Sequence, residues 1–205
     1  MAWKKRRTQL RDLAEGLIKA GALQFGTFTL PDGKDSSYYI NLRDLPSYPG
    51  LYSLVVEAVR DLVTKKTPRA RALCGVMVTG MMIAAPVALS LKKPLSFVRV
   101  PKQAGDRVVE GEVRPGWNVA LIDDLATSGK TILASAKAIE QEGGEVTQAV
   151  VMIDRLEGAR ERLSKQGISL HAVTDVVELA DMLFSMELIN QENLKAITRS
   201  VGGRQ

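Results

Sequence analysis

Residues 119–131, Val-Ala-Leu-Ile-Asp-Asp-Leu-Ala-Thr-Ser-Gly-Lys-Thr, constrain the fold more than any other stretch of this chain. A short apolar run leads straight into two carboxylates, Asp123 and Asp124, which reads as a buried strand opening onto a polar edge. Beyond Thr131, the residues Ile132, Leu133, Ala136 and Ile139 have helical spacing, so a helix is expected to open at about Gly129. Strand, acidic pair, tight turn and helix start together describe a phosphate site. The helix N-terminus offers unpaired N–H groups and the positive end of its dipole. Gly129 allows close approach of an anion to the backbone, and Thr127, Ser128 and Thr131 add hydroxyl donors. Carboxylates repel phosphate, so Asp123 and Asp124 make sense as acceptors for sugar hydroxyls or as neighbours of a metal one step away. A ribose 5-phosphate satisfies both demands. The plain alternative is a strand end followed by a helix cap. Despite its Gly-Lys-Thr, the stretch lacks the first glycine of a Walker A loop, which argues against a P-loop nucleotidase.

The whole segment closely resembles the phosphoribosyl-pyrophosphate (PRPP) motif of the type I phosphoribosyltransferases. The resemblance implies that Asp123 and Asp124 hold the ribose hydroxyls, while Leu125, Ala126, Thr127, Ser128, Gly129, Lys130 and Thr131 form the turn around the 5-phosphate.

Length and composition agree with one globular domain. At 205 residues, 45% hydrophobic and 25% charged, the chain can bury a sizeable core. The expected organisation is a single domain over residues 1–205, with a hood at about 1–45, a core at about 46–185 and C-terminal helices at about 175–200. The formal charge of +5 suits an anionic ligand. Part of it is local, in Lys4, Lys5, Arg6 and Arg7, and reads as a solvated end rather than a nucleic-acid patch. With Cys74 alone no intramolecular disulfide can form, which fits a reducing compartment. No apolar run has membrane-spanning length and no signal-peptide core follows the basic start, so a soluble cytoplasmic protein is expected.

From the N-terminus, Leu10, Leu13, Leu17 and Ile18 mark a helix over residues 8–20 ended by Gly21. Residues 22–30 and 38–43 flank a Pro-Asp-Gly turn and read as a hairpin-like pair. A helix is expected over 51–63. The remainder alternates: strand 72–76, helix 81–91, strand 95–98, a polar stretch 99–116, the central strand and helix, strand 146–153, helix 156–165, a strand at 171–174, and helices at 175–184 and 191–198. Such alternation argues for an α/β fold, a central parallel sheet flanked by helices, with the N-terminal hairpin as a small hood. Ligands in such sheets gather beyond the C-terminal strand ends. That rule selects 76–80, Arg99 onward, 123–131 and Asp154–Arg155 for one cleft.

Three further segments narrow the resemblance to the orotate phosphoribosyltransferases. Phe25-Gly-x-Phe28-Thr-Leu30 with Ser36-Ser37-x-Tyr39-Ile40-Asn41-Leu42-Arg43 is similar to their hood, which covers the pyrimidine. Val78, Thr79 and Gly80 resemble their pyrophosphate loop, and Asp154-Arg155-x-Glu157-Gly158 their orotate-reading motif. Arg107 to Gly111 resembles the far side of their catalytic loop. The resemblance implies transfer of a phosphoribosyl group from PRPP to orotate, with Arg155, Tyr39, Ile40 and Thr127 at the base. It also implies Arg99 and Lys102 on the phosphates, Lys102 as a catalytic cation beside Asp123 and Asp124, and Mg2+ held mainly by substrate. A homodimer with shared active sites is implied as well. Arg155 suits a carboxylate because its planar fork pairs bidentately. Read from residues alone, Tyr38 and Tyr39 equally suit hairpin packing, and Asp154-Arg155 a strand-end ion pair. The loop departs from the family pattern: Val100 stands where a second cation is expected and Ala104 where a histidine or tyrosine is expected. A PRPP- or nucleotide-sensing protein without catalysis, or a transferase for another base, are the alternative readings. Met81, Met82 and Ile83 are candidates for an interface or for core.

Overall fold

The computed structural model describes residues 2–29, 35–99 and 108–202. Lys102, the Pro-Asp-Gly turn at 31–33 and Lys34 therefore lie outside the described residues. The chain divides into two compact units, residues 55–173 and the two flanking segments together, with one boundary inside a helix.

The flanking unit joins both ends of the chain. Helix α1 (Ala2–Lys19) begins earlier than its apolar spacing suggests and buries Leu10, Leu13 and Leu17. It is followed by β1 (Leu23–Thr29) and β2 (Asp35–Ile40), an antiparallel pair as expected, then the first turns of α2 (Pro49–Lys66). Helix α1 packs on α6 (Val176–Ser185), which packs on α7 (Gln191–Gly202), and α7 reaches β2. The start of α6 is capped in the ordinary way: the Asp175 carboxylate accepts from the N–H groups of Val177 and Glu178 at 3.0 and 2.8 Å. Arg6 grips Glu178 through both terminal nitrogens at 2.7 and 2.8 Å, so part of the basic N-terminus is spent on its own fold.

The other unit is built on a six-stranded sheet. Its strands are β3 (Ala72–Val76), β4 (Leu95–Val98), β5 (Val109–Gly111), β6 (Asn118–Ala126), β7 (Glu145–Asp154) and β8 (Ser169–Asp175), in the order β5-β4-β3-β6-β7-β8. Strand β3 runs parallel to β4 and β6, and β6 runs parallel to β7. Strand β5 adds an antiparallel edge on β4, inside the stretch read from sequence as loop. Three residues are too few to carry a period-two signal, and their pairing is set by the neighbouring strand. The central strands are covered on both faces, and β3 is buried throughout, which explains its continuous apolar run. Cys74, Leu121 and Val151 pack with Ile132, Ala136 and Ile139 of α4 (Lys130–Gln141) and with Ala159 and Leu163 of α5 (Ala159–Ser164). On the other face, Gly75 meets Met81 of α3 (Thr79–Leu91).

The helix expected over 156–165 shrinks to α5. Leu156 and Gly158 take left-handed backbone angles, φ +57° and +91°, so residues 154–158 form a turn before helix can begin.

Candidate active site

The chain steps outward from β3 to β4, then returns to β6 on the opposite side of β3. The sheet order therefore reverses between β3 and β6, and the helices leaving their C-terminal ends diverge there. Both segments singled out by the sequence, Val78–Gly80 and Asp123–Thr131, sit at that divide.

Two glycines bring the first turn of α3 onto the sheet. A Cβ on Gly75 would lie 2.5 Å from Met81 Cα. A Cβ on Gly80 would lie 2.5 Å from Ile122 O and 2.9 Å from Asp123 Cα. Only a missing side chain permits this approach, and it places the N-terminal turn of α3 directly against the acidic pair. The Met77–Val78 peptide leading into that turn is cis.

Strand β6 runs four residues farther than the apolar run suggests, through Asp123 and Asp124 to Ala126, because Leu125 and Ala126 still pair with Ile153 and Asp154 of β7. The acidic pair is thus held in regular strand, with alternate side chains on opposite faces. Asp123 is buried at 8% exposure, and its Oδ1 accepts from the Asp124 N–H at 2.9 Å. Asp124 is half-buried, and its Oδ1 accepts from the Leu125 N–H at 2.9 Å. Burial raises the Asp123 pKa well above the usual aspartate range, and the neighbouring Asp124 charge raises it further.

After Ala126 the chain turns through Thr127 and Ser128 to Gly129, whose φ of +74° is accessible without strain only to glycine. Helix α4 then starts at Lys130 with Gly129 at its N-cap and no side chain capping it. Helix α3 starts in the same way, with Val78 at the N-cap and no side-chain cap. Neither helix has an acidic residue in its first turn, whereas α6 has both an Asp cap and Glu178. Among the described residues, two helix starts at one end of the sheet, beside two carboxylates, therefore lack the side-chain cap that an N-cap residue would supply. Thr127, Lys130 and Thr131 are exposed around the turn, which suits a ligand-facing loop.

The Arg155 N–H donates to Ala126 O at 2.8 Å, which ties the turn after β7 to the end of β6. Its side chain is buried, and Nε donates to Glu157 Oε1 at 2.9 Å. Asp154, fully buried, accepts from Leu156 N–H at 2.9 Å and from Arg160 Nε at 2.6 Å. Both members of the Asp154-Arg155 pair are thus ion-paired, each with a different partner. Sequence reasoning missed that role for Glu157. The signal was an acid two residues beyond an arginine and just before a glycine. Arg99 follows β4; its Nε donates to Glu110 Oε1 at 3.0 Å, and its N–H donates to Val108 O at 2.8 Å.

Val78, Thr79, Gly80, Arg99, Asp123 to Thr131 and Arg155 all belong to the sheet unit, on segments that leave the same strand ends. Tyr39 and Ile40 belong to the flanking unit, where Tyr39 stacks on Phe28 with centroids 5.5 Å apart and Ile40 is buried. Ile83 is fully buried core; Met81 and Met82 are half-buried. Among the described residues no group of three or more His, Cys, Asp or Glu side chains could hold a metal ion by itself, and no helix is long and apolar enough to cross a membrane.

Comparison with known proteins agrees with this geometry. The family described as phosphoribosyl transferase domain matches residues 50–180. An orotate phosphoribosyltransferase of Saccharolobus solfataricus is 36% identical over 188 residues, covering 91% of this chain and 94% of that protein. One from Methanopyrus kandleri is 38% identical over 170 residues, covering 82% and 90%. Among solved structures, the orotate phosphoribosyltransferase of Aeropyrum pernix superposes with a TM-score of 0.77 at 34% identity, over 87% of this chain and 99% of that one. A UMP synthase of Leishmania donovani superposes with a TM-score of 0.86 at 28% identity, over 94% of this chain and 42% of that one. With its acidic strand end and two uncapped helix starts at the sheet's divide, the chain belongs to the phosphoribosyltransferase family and, within it, to the orotate phosphoribosyltransferases.

Proposed function

We propose that this protein transfers the 5-phosphoribosyl group of PRPP to orotate, releasing pyrophosphate and forming orotidine 5-phosphate, a step in de novo pyrimidine nucleotide synthesis. The observation that carries the reading is the pair of uncapped helix N-termini flanking Asp123 and Asp124. PRPP presents phosphates at both ends of a ribose. The start of α4, with Ser128 and Thr131, suits the 5-phosphate, and the start of α3 suits the pyrophosphate. Asp124, the more exposed carboxylate, is oriented by the Leu125 N–H and suits a ribose hydroxyl.

In the reaction, N1 of the pyrimidine gives up its proton to solvent and forms a bond to ribose C1 as the bond from C1 to the pyrophosphate oxygen breaks. Negative charge collects on the leaving group, while the ribose takes on positive character. Fixed N–H groups at the α3 start stabilise the first change, and the acidic pair stabilises the second. Arg155 recognises the orotate carboxylate, which tells orotate from bases that lack one. Of the two carboxylates, which leave opposite faces of the strand, the more exposed Asp124 would lend Mg2+ an oxygen and leave the rest to substrate phosphates. When bound, Mg2+ supplies charge neutralisation for the phosphates.

A homodimer is part of the proposal. Helix α3 carries no charged residue over its 13 positions. Ile83, Ala84 and Val87 face the core, while Leu89 is 82% exposed and Val78, just before the helix, is 57% exposed. An apolar edge of this kind suits burial against a second copy.

The deciding experiment is orotate consumption by the purified protein with PRPP and Mg2+, each component omitted in turn. Consumption that requires both substrates is expected. Tight PRPP binding without consumption would overturn the assignment and favour a sensor.

A further inference from the structure

Arg155 is buried, and a long arginine side chain reaches such a place with its guanidinium oriented only if something fixes it. Glu157 lies two residues on, within a turn whose shape depends on several independent contacts. Asp154 Oδ1 accepts from the Leu156 N–H, Leu156 takes φ +57°, and Gly158 takes φ +91°. Arg160 grips the other oxygen of Asp154 and so anchors the turn from beyond. The result folds Glu157 back, so that its carboxylate meets Arg155 Nε at 2.9 Å, with the two side chains only 5% and 13% exposed. A carboxylate beside a cation that is to receive a carboxylate ligand weakens the pull on that ligand. Its placement makes physical sense when it governs the geometry of the cation.

We propose that Glu157 is a positioning residue for Arg155: by accepting from Nε it sets the plane of the guanidinium, and so the direction in which that fork meets the orotate carboxylate. The inference rests on the orotate reading above. A fork pairs bidentately only when its plane contains the partner's oxygens, so orientation governs affinity steeply. Because the contact is made in ground state and transition state alike, its loss raises the orotate KM and leaves kcat nearly unchanged.

The test uses two conservative variants that separate reach from charge. Glu157→Gln keeps the accepting oxygen in place without the charge. Glu157→Asp keeps the charge but withdraws the oxygen by one methylene. The orotate KM is expected to rise about tenfold in Glu157→Asp and to stay within about threefold of the parent in Glu157→Gln. In both, the PRPP KM and kcat should move by less than about twofold. The reverse pattern, with Gln impaired and Asp spared, would overturn positioning in favour of charge balance. A parallel rise in both KM values with a fallen melting temperature would reduce Glu157 to a fold contact and overturn it as well. An unchanged orotate KM in both variants would also overturn it. Arg155→Ala is the control. If the parent turns over orotate and Arg155→Ala raises the orotate KM while Glu157→Asp does not, only this inference fails. If the parent consumes no orotate, the proposed function fails and takes this inference with it.

Discussion

Asp123 shows how one residue can be shaped against its own stability. It is buried next to another carboxylate, and Gly80 comes so close that a Cβ there would lie 2.9 Å from the Asp123 Cα. Burial first, then the Asp124 charge, raises its pKa. The native state therefore holds the proton more tightly than the unfolded chain, whose aspartate titrates at about 3.9. As pH rises through that value toward the raised native one, the unfolded chain releases its proton first, and native stability falls. Asp123→Asn removes this penalty while keeping an oxygen for the Asp124 N–H. It is expected to stabilise the ligand-free protein near neutral pH, with the gain fading toward about pH 4. Thermal melts of both proteins across that range check it; a gain independent of pH would disprove the electrostatic cause. The same variant should lose PRPP-dependent turnover, an exchange of stability against function.

At the scale of elements, the helices that start at the divide matter more for their N-termini than for their length. An ordinary helix start resembles that of α6, where the Asp175 side chain satisfies two N–H groups. Helices α3 and α4 forgo such caps, and each start is positioned by glycine instead: Gly75 and Gly80 for α3, Gly129 for α4. Gly80→Ala drives a methyl group into Ile122 O and the Asp123 backbone. The first turn of α3 must then lift from β6, at a cost of about 1–3 kcal/mol in stability. Activity should fall further than stability, because the N–H groups move with the turn. A melting curve beside kcat/KM for PRPP tests this, and unchanged kcat/KM would show that the α3 start takes no part in binding.

For the whole molecule, the proposed partner is a second copy, and Leu89 is the most exposed of the large apolar side chains among the described residues. Leu89→Glu is expected to shift the protein from dimer to monomer in sedimentation without changing its circular dichroism; a variant that stays dimeric would place the interface elsewhere. The sequence by itself determined the order of elements, the α/β class and the acidic-turn-helix segment, because apolar periodicity and turn chemistry are local properties written within a few residues. Strands 72–76 and 95–98 are found at those positions for that reason. Strand β5 was not legible, since three residues pair only because β4 offers an edge. Nor was the turn at 154–158, where apolar spacing suggested helix and left-handed angles at Leu156 and Gly158 overrode it. The grouping of the C-terminal helices with the N-terminal hairpin likewise joins residues far apart in the chain. Only the tertiary structure decided that Gly80 lies against Asp123, that β6 runs on through Ala126, and that Arg155 takes Glu157 as its partner. Each depends on which backbone approaches which, and a close approach between distant segments leaves no periodic trace in either one.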